Sequence, residues 1–190
     1  MNDRLTRVPR HAMDAAQADL YGRFASGRRA APGAAFRLLD DDGGLLGPPA
    51  IWLHSPTIGA ALEQFGGAIR FSLALGKPAQ EALILAVGAA EDSPFELTAH
   101  RQGAAAAGYS PGDVETIIAG GEPEGLDAES RVVLRLARTL LERADLSDDE
   151  FAAARAALGD DRLVEALTLV GYYRMIALQL RVYRIGAEGR

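Results

Sequence analysis

Four polar side chains interrupt an otherwise apolar stretch running from Pro78 to Gly108 of this 190-residue sequence: Glu81, Ser93, Glu96 and His100. Ser93, Glu96 and His100 are spaced i, i+3, i+7, so a helix would carry them on one face. An acid beside an imidazole is a proton-transfer pair. Imidazole changes charge near neutral pH, and a carboxylate can hold its ring in one tautomer or take a substrate proton itself. His100 is therefore the candidate general acid or base, with Glu81 or Glu96 orienting it. Each residue also has a plainer reading. His100 could be a core histidine satisfied by one acid. Glu81 in the first turn of a helix is favoured by the macrodipole. Ser93 and Glu96 have the spacing of a capping box, with Ser at N-cap, Pro94 at N1 and Glu at N3. Ser93 lacks the neighbouring His and acid that would mark an activated nucleophile, and is a candidate ligand contact only.

The elements that must position these groups are two helices folded back on each other. The first opens with Pro78 and has an almost wholly apolar body, Ala82 to Ala90. A helix with no wet face belongs in the middle of a bundle. The second begins at Ser93 and stops at Gly108, a left-handed C-terminal glycine. With the turn near 91–93, Glu81 precedes it by about ten residues and His100 follows by about seven. At roughly 1.5 Å per residue their heights differ by about 4–5 Å, which lets them face each other across the seam.

Other candidates are more scattered. His54 precedes a helix start and could reach a pocket mouth. Arg70 and Arg174 lie in apolar helical stretches, and a carboxylated substrate would need such a bidentate cation. Both are candidate substrate contacts, and ion pairs are their ordinary use. Cysteine is absent and histidine occurs three times, at His11, His54 and His100. That excludes disulfides, thiolate metal sites and thiol redox chemistry, and argues against a histidine-rich metal site. No cofactor is suggested, and the glycine pairs at 43–44, 66–67 and 120–121 lack a phosphate-loop context. A formal charge of −6 leaves no basic face for nucleic acid. The opening MNDRLTRVPRHAMD has no apolar core of a secretory signal. Of the longest apolar runs, 82–90 is short for a membrane span and 163–180 contains Glu165 and Arg174. A cytoplasmic protein that does not engage membranes is the expectation.

Along the rest of the chain the spacing predicts a helix over 11–27, closed by Gly27, and a hairpin or wide loop within 35–46. A helix capped by Ser55 follows, from Thr57 to about Leu75. After Gly108 come a short helix from Ser110 to Ala119, a helix over 127–143 with Val132, Val133, Leu136, Leu140 and Leu141 inward, and one over 148–158 started by Ser147 and Glu150. A last helix spans 160–184, apolar enough to imply partner subunits. The expected fold is all-α, an antiparallel bundle joined by short connections. Residues 1–50 form an N-terminal elaboration, and 51–190 one compact helical unit. The phrases Glu81-Ala-Leu-Ile-Leu and Glu165-Ala-Leu-Thr-Leu echo each other weakly.

Over about 66–180 the order of these signals resembles the carboxymuconolactone decarboxylase-like superfamily, which includes the alkylhydroperoxidase D-type proteins. The similarity is carried by QEALILAVGAA, FELTAH, GYSPGDVETI and LVEALTLVGYYRM. The redox branch has a motif of Glu, eleven residues, then C-x-x-C-x-x-x-H. Here those places hold Glu81, Ser93, Glu96 and His100. Both cysteines are replaced, so thiol peroxidase activity is excluded and the chain looks like the thiol-free branch. For that branch the resemblance implies decarboxylation, or a related proton-transfer step, on a small lactone or carboxylated ring compound. Hydrolysis or isomerisation by the same pair is an alternative enzyme reading. A non-catalytic helical ligand-binding or assembly protein is the alternative from another class. The resemblance also implies a closed homo-oligomer, a trimer or hexamer, with a dimer as the smaller option.

Overall fold

The computed structural model describes residues 4–26 and 37–189. Gly27 and Phe36, expected to close the first helix and open the hairpin, lie outside them. The described chain is all-α, as expected. A 3-10 turn at Arg10–Ala12 precedes α1 (Ala15–Ala25), α2 (Pro48–Trp52), α3 (Pro56–Phe71), α4 (Lys77–Ala90), α5 (Pro94–Ala106), α6 (Pro111–Ile118), α7 (Ala128–Arg143) and α8 (Asp148–Tyr183). Among the described residues the β content is one antiparallel bridge, Leu39 to Leu45. Asp40 closes that small turn by accepting the Asp42 and Gly44 N–H groups at 3.0 and 2.7 Å.

Helix starts follow the sequence signals with two exceptions. Proline occupies the first turn of α2 to α6, where its missing N–H costs nothing. Asp14 and Ser110 form reciprocal capping boxes with Gln17 and Asp113, and Asp127 caps α7 through Ser130 N–H. Ser147 and Glu150 exchange bonds in the same way. Ser55 and Ser93 stand at N-cap positions, yet neither side chain makes a cap bond. Glycines with positive φ follow α5 (Gly108, φ 101°) and α6 (Gly120, φ 87°). Gly159, at φ 78°, breaks α8 into the two helices its sequence implies.

Backbone contacts gather the chain into two compact units, one from Met1–Ser72 with Leu178–Arg190, the other from Leu73–Ala177. In the first, Phe24 stacks obliquely on Trp52 at 5.9 Å between ring centres. The Trp52 indole donates to Gln179 at 2.8 Å. Gly59 lets α3 approach closely, since a Cβ there would sit 2.9 Å from the Trp52 carbonyl oxygen.

The second unit is organised on α4, which packs against α5, α6 and α7. Its residues from Ala82 to Gly88 are all buried, as a helix with no polar face requires. Ala82, Leu85 and Ala86 meet Ala104 of α5, Val114 and Ile117 of α6, and Leu134 of α7 in one cluster. The inward stripe of α7 is rotated from the expected one. Ser130, Val133, Leu134, Leu136 and Ala137 are buried, whereas Val132, Leu140 and Leu141 are half-buried. Small residues at 130 and 137 flank Leu134 and allow it to meet α4. Carboxylates from distant helices satisfy the N–H groups leading into α4: Glu165 accepts from Ala74 and Leu75, each at 2.9 Å, and Glu129 from Gly76 at 2.8 Å. By length and composition alone α8 is apolar enough to cross a membrane, a test that the buried core helix of a bundle also passes. Half of its most apolar stretch is buried inside the chain.

Candidate active site

Glu81 sits one turn into α4 and His100 midway along α5, and their side chains meet. His100 Nδ1 lies 2.8 Å from Glu81 Oε2, with 12 % and 14 % of the two side chains exposed. Antiparallel register produces this contact. Near the turn Gly88 lies against Glu96 and Leu97, and further out Glu81 lies against His100 and Gly103. The open end of the hairpin is tied by the Tyr109 hydroxyl, which donates to the Pro78 carbonyl at 3.0 Å. A carboxylate at Nδ1 accepts the Nδ1–H, which leaves Nε2 as the nitrogen that gives or takes a proton. The Tyr173 ring meets the His100 ring edge-on at 5.1 Å and fixes its plane.

Gly103 makes the pair possible. A Cβ at that position would lie 2.6 Å from Glu81 Oε2 and 2.7 Å from its carboxyl carbon. The Glu81 carboxylate occupies the space that any larger residue would fill. The sequence carried a usable signal in a glycine inside a helix, three residues after the candidate histidine.

Glu96 departs from its expected role. The predicted box needs Glu96 to accept the Ser93 N–H. That N–H instead donates to the Gly88 carbonyl at 2.9 Å, through a tight turn in which Asp92 has φ 49°. Glu96 is consequently released from capping and is 2 % exposed. Neither of its carboxyl oxygens, nor the Ser93 hydroxyl, has a hydrogen-bond partner among the described residues. Burial pushes the Glu96 carboxyl up from 4.5 to about 8. The Ser93 hydroxyl tempers the rise, and the Glu91 charge adds to it. Burial therefore favours the protonated, neutral form of Glu96.

The remaining candidates stand elsewhere. Arg174 of α8 donates to Glu91 at 2.8 Å and braces the tip of the hairpin. His54 and Arg70 belong to the first unit, where the His54 ring lies 2.8 Å from the Thr6 carbonyl and Arg70 is exposed near the end of α3. Two concavities of the second unit have other linings. One of about 160 Å3 is bordered by Pro78, Tyr109 and Asp127, and one of about 440 Å3 by Ile117, Arg138 and Leu141. Among the described residues no group of three His, Asp or Glu side chains is placed to hold a metal ion.

Residues 56–139, which include Glu81, Ser93, Glu96, His100 and Gly103, match the model of the Carboxymuconolactone decarboxylase family. That segment, less than half of the chain, is similar to that family. The match and the all-α fold are consistent with the alkylhydroperoxidase D-like superfamily. The matched segment contains no thiol. No curated protein and no solved structure matches the chain.

Proposed function

We propose that the chain is a cofactor-free proton-transfer enzyme, acting on a small carboxylated ring compound by decarboxylation or related lactone chemistry. The observation that supports this reading is the 2.8 Å contact between His100 and Glu81 inside the family segment. In the decarboxylation the bond from ring carbon to carboxylate breaks, CO2 leaves, and the electron pair passes into a conjugated carbonyl as an enolate. Protonated His100 then delivers a proton to carbon through Nε2 and is reprotonated from water. Glu81 holds the ring at Nδ1 and stabilises the imidazolium. Its role parallels the acid that orients a catalytic histidine elsewhere.

The test begins with a thermal-shift screen of ring lactones and carboxylated aromatics, because a ligand that binds the folded form raises the melting temperature. Mass analysis of each hit then separates loss of CO2, gain of water and isomerisation without mass change. On a compound so identified, His100→Ala abolishes turnover while the far-ultraviolet circular dichroism stays native. Undiminished turnover by that variant would refute the proposal. Val164 and Leu167, exposed on α8, support a homo-oligomer as part of the same reading, and light scattering would give its count.

A further inference from the structure

Three oxygens at the start of α5, one of them on its N-cap residue, pose a problem that proton transfer through Glu81 and His100 does not resolve. Ser93 and Glu96 are 3 % and 2 % exposed, and Ser93 Oγ and both Glu96 carboxyl oxygens are unpartnered among the described residues. Buried polar groups in native proteins nearly always find partners, and an orphan calls for an explanation such as a ligand. These two lie one turn apart on the helix face that also carries His100, about 6 Å further along the axis. A five- or six-membered ring with an exocyclic oxygen can bridge that interval.

We infer that Ser93 and Glu96 form a hydrogen-bonding pair for the carbonyl oxygen of a neutral lactone or enone, with Glu96 as the principal donor. This inference rests on the proton-transfer reading and adds to it the group that receives the electron pair. When CO2 leaves, negative charge develops on the carbonyl oxygen, and donors placed there stabilise the transition state more than the ground state. Sequence spacing gave Glu96 either a helix cap or a place beside His100, and Ser93 a cap with a ligand contact as its other reading.

Electrostatics decide between a carbonyl and a carboxylate at this end. Glu91 stands close enough to raise the cost of negative charge on Glu96, and Arg174 is already engaged by Glu91. A second carboxylate docked on Glu96 would meet this unfavourable charge. A neutral carbonyl accepts from a carboxylic acid without that penalty. The substrate's own carboxylate then lies at the opposite end of the ring from Ser93 and Glu96.

Glu96→Gln and Glu96→Met separate the roles. Glutamine is neutral and keeps a donor of similar length, whereas methionine fills the space without one. The probe is γ-butenolide carrying a carbonyl isotope label, read by difference infrared spectroscopy, with γ-hydroxycrotonate as its ring-opened carboxylate. Wild-type protein and Glu96→Gln should bind the lactone with the carbonyl stretch shifted to lower frequency, and bind the carboxylate more weakly. Glu96→Met should remain folded, lose the shift, and bind the lactone about tenfold more weakly. Failure of the wild-type protein to bind γ-butenolide, an unchanged stretch in Glu96→Met, or preference for γ-hydroxycrotonate would each overturn the inference. His100→Ala should retain the shifted stretch whether or not it turns substrate over. That result keeps failure of the carbonyl pair distinguishable from failure of the proton-transfer reading.

Discussion

Replacing Glu96 by glutamine should change how stability depends on pH, in a direction and amount that follow from burial. The carboxyl titrates at about 8 in the folded chain against an ordinary 4.5, with desolvation as the main cause. A folded state that binds a proton more tightly than the unfolded chain loses stability as pH rises between those two values. Below 4.5 both states are protonated and the group contributes no difference. Above that value the unfolded carboxyl ionises while the buried one does not, at about 1.4 kcal/mol per pH unit. The accumulated loss is about 3 kcal/mol by pH 7 and on the order of 5 kcal/mol past pH 8. Glutamine carries no charge in either state and escapes it. The stability of Glu96→Gln relative to the parent should therefore rise steadily from about pH 4.5 to about pH 8 and then level. For a chain of this size, 3 kcal/mol is roughly 6–12 °C in melting temperature. Urea titrations of both proteins across this range give the difference directly, and titrating groups common to both cancel. Parallel stability curves from about pH 4 to about pH 9 would show that Glu96 is not held neutral, and the argument from its burial would fall with them.

Three further outcomes are expected. Glu91→Gln removes a charge that helps raise the Glu96 carboxyl, so the pH window of the Glu96 effect should contract from its upper end; an unmoved upper limit counts against that coupling. Gly103→Ala gains about 1 kcal/mol of helix propensity and loses about 1–3 kcal/mol to crowding against the Glu81 carboxylate, so stability should fall by no more than about 2 kcal/mol. The hydrogen-bonded Nδ1 proton of His100 should nevertheless vanish from the NMR spectrum, and its persistence would mean that Glu81 does not need the missing Cβ. Ser110→Ala should cost about 1 kcal/mol in urea denaturation because its cap bonds are made, whereas Ser93→Ala should be neutral or stabilising because its hydroxyl is buried without a partner. Equal losses at the two serines would contradict the distinction.

That contrast shows what kind of information the sequence carried. Ser93-Pro94-Phe95-Glu96 and Ser110-Pro111-Gly112-Asp113 are spelled alike, and both start a helix as their prolines require. Only the second forms the reciprocal box. Ser110 enters α6 from an open turn after Gly108, leaving its N–H for Asp113 at 3.0 Å. Ser93 follows the end of α4 so tightly that Gly88 takes its N–H first. The outcome depends on how the preceding helix ends, which lies outside the four-residue pattern. Helix ends and the meeting of Glu81 with His100 were legible because they follow from periodicity, the place of the turn and a fixed rise per residue.

What a carboxylate does was less legible, because the donor opposite it decides. Glu81 and Glu165 share the same run into an apolar helix, yet Glu81 meets an imidazole and Glu165 takes the N–H groups of Ala74 and Leu75. Gly103 decides the first case by leaving room on α5. Glu96 is the third acid, and burial left it facing no donor among the described residues. Its neutral form is a consequence of that isolation, since an ion pair or N–H partner would have favoured the charged carboxylate. The loss of a capping partner near the turn therefore converts an ordinary helix-start residue into the chain's best candidate for a proton donor to oxygen, one turn before the imidazole that would serve carbon.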